Sequence, residues 1–83
     1  MTPIELEAVV LSVLSAILRR PFEPGHDVVR ADTHGWDSLK HVEIVFAVEE
    51  ELGVEFPESV LGELDRASRF VSEAARILGA GGR

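Results

Sequence analysis

Apolar side chains recur at intervals of three and four residues over three stretches of the chain, and this spacing constrains the fold most strongly. The stretches are Pro3–Leu18, Ser38–Leu52 and about residues 65–78. Such spacing places apolar side chains along one side of a helix, whereas a half-buried strand needs strict alternation. The sequence contains no alternating run long enough for a strand. The spacing therefore predicts an all-α protein.

Residues at the ends of the first two stretches are typical helix start and stop signals. Thr2 can cap the first helix, Pro3 suits its first position, and Glu5 can bond back to the cap. Asp37 is the natural N-cap of the second helix. Gly53 is its natural C-terminal stop. These residues set the predicted boundaries.

The segments between the helices complete the predicted architecture. Residues 20–36 form a long loop, which we expect to be held to the core by Phe22, Val28, Val29 and Trp36. Residues 58–62 can form a short helix, with Val54 and Phe56 pointing inward before it, and residues 79–83 read as a flexible tail. We therefore predict a single domain, 1–83, folded over about residues 3–78. Its fold class is a small antiparallel four-helix bundle of three main helices and one short one.

The charge distribution limits the partners. The chain of 83 residues has a formal net charge of −7, and residues 37–65 hold nine acidic residues against Lys40 alone. This excess argues against binding to nucleic acid and favours basic partners. No stretch is long and apolar enough to span a membrane, and no basic segment precedes an apolar run at the start. We expect a cytoplasmic monomer.

The second helix has more apolar residues than one buried face can use. The side that can pack on the first helix holds Ile44, Val45, Val48 and Leu52. Leu39, Val42 and Phe46 lie on another side, beside acidic residues. A small bundle cannot bury a helix all round, so this strip is expected to be partly exposed as a docking surface. The alternative is a wider core contact, with the long loop folded over it.

Few side chains offer chemistry of their own. The chain has no Cys, which excludes disulfides, thiol nucleophiles and thiolate metal sites. Ser38 and His41 are three residues apart and could be neighbours on a helix, but the small bundle lacks a recognisable oxyanion hole or substrate pocket. The three His residues lack a metal-ligand spacing. We therefore predict no catalytic residues and no metal site.

Ser38 is a hydroxyl at the first turn of the second helix, directly after the long loop. It lies within Gly35-Trp36-Asp37-Ser38-Leu39, followed by Val42-Glu43 and by Glu49-Glu50-Glu51-Leu52-Gly53-Val54-Glu55-Phe56-Pro57. In this order of elements, the chain resembles the acyl carrier protein family, including the related carriers of polyketide and peptide assembly lines. The resemblance extends from the first helix to about Leu78.

The resemblance implies that Ser38 carries 4'-phosphopantetheine, added from coenzyme A by a phosphopantetheinyl transferase. The arm would hold acyl groups as thioesters, and the protein would act as a substrate of enzymes without catalysing a reaction. Acyl-loading, condensing or tailoring enzymes with basic docking patches would be its partners. The residues implied to meet them are Asp37, Leu39, Val42, Glu43, Phe46, Glu49 and Glu50.

The resemblance also leads us to expect transient shelter of an acyl chain inside the bundle. The residues expected to line this shelter are Val10, Leu14, Ile44, Val48, Val60 and Phe70. Two positions depart from the common family pattern: His34 replaces a frequent Leu, and Lys40 is a basic residue in the recognition region.

Three alternatives remain at the level of the sequence. The nearest is a peptidyl or aminoacyl carrier with the same fold and cofactor. The others are a helical adaptor without a prosthetic group and an enzyme using Ser38 and His41. The residues do not identify the cargo, or distinguish fatty acid synthesis from polyketide, peptide or other antibiotic biosynthesis.

Overall fold

The computed structural model describes residues 2–81, which form three α-helices and two short 3₁₀ helices. In chain order these are α1 (Pro3–Leu18), a first 3₁₀ helix (Arg30–Asp32), α2 (Ser38–Leu52), a second 3₁₀ helix (Glu58–Glu63) and α3 (Ala67–Gly81). Within the described residues there is no strand, and one isolated bridge joins Val29 to Arg66. The predicted all-α bundle is confirmed.

Local capping explains where α1 begins and ends. The Thr2 hydroxyl accepts a hydrogen bond from the Glu5 backbone N–H at 3.2 Å, and the Glu5 carboxylate accepts one from the Thr2 N–H at 2.7 Å. This reciprocal pair satisfies two backbone donors that the helix start leaves free. At the other end, Arg19 takes a left-handed conformation with φ of 59°. The predicted limits of α1 are confirmed.

Helix α2 also has the predicted limits. The Asp37 carboxylate accepts a hydrogen bond from the Lys40 backbone N–H at 2.9 Å. Gly53 ends the helix with φ of 66°, a conformation that glycine adopts without steric cost. The backbone N–H groups of Gly53 and Val54 both donate to the Glu49 carbonyl.

The long connection determines which ends of the helices lie together. After α1 it runs back along that helix, since the Gly25 N–H donates to the Glu7 carboxylate at 3.2 Å. Asp27 then accepts hydrogen bonds from the backbone and hydroxyl of Ser68, in the first turn of α3. The first turns of α1 and α3 consequently border the same cleft. The second half of α1 meets the second half of α2. The starts of α1 and α3 therefore lie at one end of the bundle, and the second halves of α1 and α2 lie together away from it.

Residues from the three α-helices and from both connections form one core. Its fully buried large side chains are Leu6, Val10, Leu14, Ile44, Val48, Leu64 and Phe70. Val28 and Trp36 from the long connection are buried with them, as predicted, while Phe22 packs at the edge of the core and Val29 is half-buried. Val54 and Phe56 are also buried, as predicted. The connections are thus structural parts of this small domain.

Three features differ from the prediction. The long loop contains a 3₁₀ turn, and the short helix after Pro57 is a 3₁₀ helix. Both are too short to form the i to i+4 hydrogen bonds that favour an α-helix. Helix α3 continues through Gly81, so residues 79–81 are helical where a tail was predicted. A glycine costs about 1 kcal/mol in a helix without ending it. Gly82 and Arg83 lie outside the described residues.

Candidate functional site

Ser38 is the first residue of α2, and its side chain is exposed. Asp37 caps the helix through its own carboxylate, so the Ser38 hydroxyl is not used for capping. Backbone N–H groups in this first turn have no partner inside the helix, and the positive end of the helix dipole lies here. The hydroxyl is therefore accessible in a place that favours negative charge.

Arg30 lies next to this hydroxyl, although sequence reasoning did not select it. Its guanidinium Nη2 is 3.4 Å from Ser38 Oγ, and its Nε donates to the Trp36 carbonyl at 3.3 Å. The two residues are eight apart along a loop, where no helical or strand period brings side chains together. The sequence signal available was that Arg30 is the one Arg or Lys between Arg20 and Lys40.

The loop segment that carries Arg30 is held by the start of α3. The Arg30 backbone N–H donates to the Asp65 carbonyl at 2.8 Å, and the Ala67 N–H donates to the Val28 carbonyl at 2.9 Å. The Thr33 hydroxyl donates to the Val29 carbonyl at 2.7 Å. These bonds tie the segment on both sides of Arg30 and so fix the backbone beside Ser38.

A charged pair lies at the same junction. The Arg66 guanidinium donates to the Asp65 carboxylate at 3.0 Å, and this hydrogen bond holds the pKa of Asp65 below its usual value. The Arg69 guanidinium is 3.8 Å from the same carboxylate. Arg66, just before α3, and Arg69, in its first turn, are therefore both paired with an acid.

His41 connects the site to the second 3₁₀ helix. Its Nδ1 accepts a hydrogen bond from Trp36 Nε1 at 3.0 Å, so this nitrogen carries no proton. Its Nε2 is 3.0 Å from the Leu61 carbonyl and must donate to it. Because both ring nitrogens are bound elsewhere, neither faces Ser38 as a free base. The geometry does not favour the Ser38 and His41 pairing that an enzyme would need.

The surplus apolar residues of α2 form an exposed strip. The exposed fractions of Leu39, Val42 and Phe46 are 67%, 48% and 64%. The buried side of the helix holds Ile44, Val45, Val48 and Leu52. The prediction that the strip stays partly exposed is confirmed, and the long loop does not cover it. The strip begins directly beside Ser38.

The acids predicted to accompany this strip have different surroundings. Glu43 and Glu50 are exposed, and the Glu43 carboxylate is 3.5 Å from the Lys40 ammonium. Glu49 is half-buried, and its carboxylate accepts a hydrogen bond from the Phe56 backbone N–H at 2.8 Å. Glu49 therefore stabilises the turn after α2, a structural role that the sequence did not indicate.

The residues expected to shelter an acyl chain are core residues. Val10, Leu14, Ile44, Val48 and Phe70 have no exposed surface, whereas Val60 is half-buried beside them. Shelter at this place would need the short second 3₁₀ helix to separate from α2, and it stays a prediction.

Two further observations concern the described part of the chain. Over residues 2–81, no group of three or more His, Asp or Glu side chains is arranged to hold a metal ion. None of the helices in that range combines the length and apolar character needed to cross a bilayer.

Comparison with known proteins adds no relative. No family model matches the chain, and neither a curated protein nor a solved structure matches it significantly.

Proposed function

We propose that this protein is an acyl carrier protein, with Ser38 as the attachment site of a 4'-phosphopantetheine arm. The observation that supports this most directly is the exposed Ser38 hydroxyl, at the start of α2 and within 3.4 Å of the Arg30 guanidinium. A helix start combined with a neighbouring cation is favourable for a phosphate group. The exposed hydroxyl also leaves room for a modifying enzyme.

The residues around Ser38 fit the proposed group. The arm begins with a phosphodiester, whose negative charge suits this end of α2 and Arg30. Its thiol supplies the thioester chemistry when it is bound, and the chain has no Cys that could do so. The chain's own residues present the arm: the Asp37 cap fixes the helix start, and the Trp36 carbonyl orients the Arg30 side chain.

Attachment is a phosphoryl transfer that requires a separate transferase. The Ser38 oxygen forms a bond to the phosphorus that bears the pantetheine arm, while the pyrophosphate bond of coenzyme A breaks. The nucleotide part leaves with the bonding electrons, and the hydroxyl proton passes to a base of the transferase. The product is a phosphodiester on Ser38.

Partner enzymes would dock on α2, next to the arm. The strip of Leu39, Val42 and Phe46 offers apolar contact, and Glu43 and Glu50 offer negative charge beside it. Apolar contact rimmed by charge gives an interface whose affinity falls with added salt. Acyl-loading, condensing or tailoring enzymes with basic patches are the proposed partners, and the cytoplasm is the proposed location.

Enzymatic loading tests the proposal. The folded protein is incubated with coenzyme A, magnesium ions and a broad-specificity phosphopantetheinyl transferase, and intact mass is measured. We expect the wild type to gain the mass of one phosphopantetheine, with fragmentation assigning it to Ser38. Ser38→Ala should gain nothing, whereas the matched variant Ser59→Ala, at another exposed serine, should load as the wild type does.

A wild-type protein that stays unmodified beside a loaded positive control would refute the carrier function. Modification at a serine other than Ser38 would refute the assigned site.

A further inference from the structure

We propose that Arg30 is the residue of this chain that binds the phosphodiester on Ser38 and thereby restrains the base of the arm. This inference rests on the proposed function, and it adds a binding residue that lies outside α2. Its basis is the position of the guanidinium, which contacts Ser38 Oγ through Nη2 and the Trp36 carbonyl through Nε.

The position of Arg30 is determined by the fold. Its backbone donates to the Asp65 carbonyl, and Val29 beside it forms an antiparallel bridge with Arg66. Its own carbonyl accepts the Thr33 N–H at 3.1 Å, which closes the first 3₁₀ helix. The Nε contact with Trp36 then fixes the direction of the side chain. The backbone of Arg30 is thus ordered before any ligand binds, and its side chain is partly restrained.

The contact with the unmodified hydroxyl is weak. A distance of 3.4 Å is long for a hydrogen bond, and the hydroxyl is a neutral acceptor. A phosphodiester on Ser38 adds two non-bridging oxygens that share one negative charge, two bonds beyond Oγ. Hydrogen bonds from a guanidinium to such oxygens are shorter and about twice as strong as neutral ones. Arg30 therefore forms stronger hydrogen bonds with the modified serine than with the free one.

The charge of Arg30 is available for this role. Over residues 2–81, no carboxylate lies within 4.0 Å of its guanidinium, whereas the charges of Arg66 and Arg76 are met by Asp65 and Glu73. The carboxylate of Asp37, the residue before Ser38, accepts the Lys40 N–H. An anion on Ser38 would thus lie beside the Arg30 guanidinium, which forms no ion pair with an acid of the described residues.

The experiment compares unmodified and loaded forms of the wild type, Arg30→Gln and Arg30→Lys. Arg19→Gln is the matched control, because Arg19 is exposed and loses the same charge at the end of α1. Intact mass first establishes loading in each protein. Urea denaturation then gives the folding equilibrium constant of every form, and NMR records the Arg Nε–H signals and the phosphorus shift.

We expect Arg30→Gln to lower the folding equilibrium constant of the loaded form about two- to fivefold more than that of the unmodified form, the range typical of an exposed charged pair. Arg30→Lys should recover part of this difference, and high salt should reduce it. Loading should shift the Arg30 Nε–H signal and leave that of Arg19 unchanged. Arg30→Gln should shift the phosphorus signal, and Arg19→Gln should not.

The outcomes separate the two proposals. If the wild type cannot be loaded, the carrier function and the role of Arg30 both fail. If it loads but the Arg30 signal does not move, or Arg30→Gln affects both forms equally, the role of Arg30 alone is refuted. Should Arg30→Gln fail to fold, the Nε–H signal of the wild type still decides the question.

Discussion

His41 illustrates how one side chain joins three parts of this protein. Its ring lies 6.0 Å from that of Trp36 and 6.3 Å from that of Phe70, measured between ring centroids. Its nitrogens bind the Trp36 indole and the Leu61 carbonyl. Trp36, just before Asp37 and Ser38, is thereby connected to the second 3₁₀ helix through the His41 ring.

We expect His41→Ala to lower the free energy of unfolding by about 1–3 kcal/mol, because it leaves the part-buried Trp36 N–H and Leu61 carbonyl without their partner. Urea denaturation followed by tryptophan fluorescence measures this change. NMR of the wild-type ring should show a neutral imidazole protonated at Nε2.

His26→Ala is the control, since His26 is exposed and its ring makes no hydrogen bond within the described residues. Its effect should stay within about 0.5 kcal/mol. Equal effects of the two substitutions, or a ring protonated at Nδ1, would contradict the assigned network.

At the scale of the element, each α-helix begins at a carboxylate. Glu5 serves α1 through the capping box, Asp37 serves α2, and Asp27 reaches α3 from 41 residues earlier in the chain. A carboxylate satisfies free backbone donors and complements the positive end of the dipole. The first two caps were predicted from the sequence because they are local, whereas the third depends on how the connection folds.

The cap of α1 predicts a dependence of stability on pH. The hydrogen bond from the Thr2 backbone, followed by that from its side chain, lowers the pKa of Glu5 in the folded protein. A lowered pKa means that the stabilisation is fully present above the unfolded-state pKa and is lost as the pH falls through the folded-state pKa. Glu5→Gln should therefore flatten the acid side of the stability curve.

Thermal unfolding at a series of pH values between neutral and acidic measures this effect. The matched variant is Glu55→Gln, whose exposed carboxylate makes no hydrogen bond within the described residues. This variant should leave the dependence of the unfolding temperature on pH close to that of the wild type. If Glu5→Gln retains the wild-type slope, the capping box does not contribute in solution.

At the scale of the whole molecule, the fold brings the starts of the three α-helices to one end. Helices α1 and α3 share a cleft at their first turns, and Trp36, before α2, lies 6.4 Å from Phe70 in α3, between ring centroids. The long connection is needed for this arrangement, because it returns along α1 before α2 can start. Ser38, Arg30 and the acidic caps are consequently gathered at the same end.

A spin label tests this arrangement. The chain has no Cys, so Ile4→Cys, at a position with 78% exposure, can be labelled alone. We expect the label to broaden the amide signals of Ala67, Ser68, Val71 and Ser72, because these residues border the same cleft as Ile4.

A label at Glu51→Cys provides the converse control. It should broaden the signals of Ser12, Val13, Ala16 and Ile17, which lie beside Glu51. Broadening of residues 77–79, at the far end of α3, by the label at position 4 would contradict this arrangement.

The limits of α1 and α2 and the exposed strip of α2 could be predicted because their causes are local. Capping acts over about three residues, and helical spacing assigns apolar residues to faces without knowledge of the partner. The same reasoning predicted that Ser38 begins a helix.

The tertiary structure alone decided what residues distant in sequence do together. The direction of the helices, the Asp27 cap of α3, the Arg30 contact with Ser38 and the bonds of His41 all depend on where the long connection closes. Loop closure follows from the balance of chain entropy, core burial and backbone hydrogen bonds over the whole domain. No local spacing in the sequence encodes that balance.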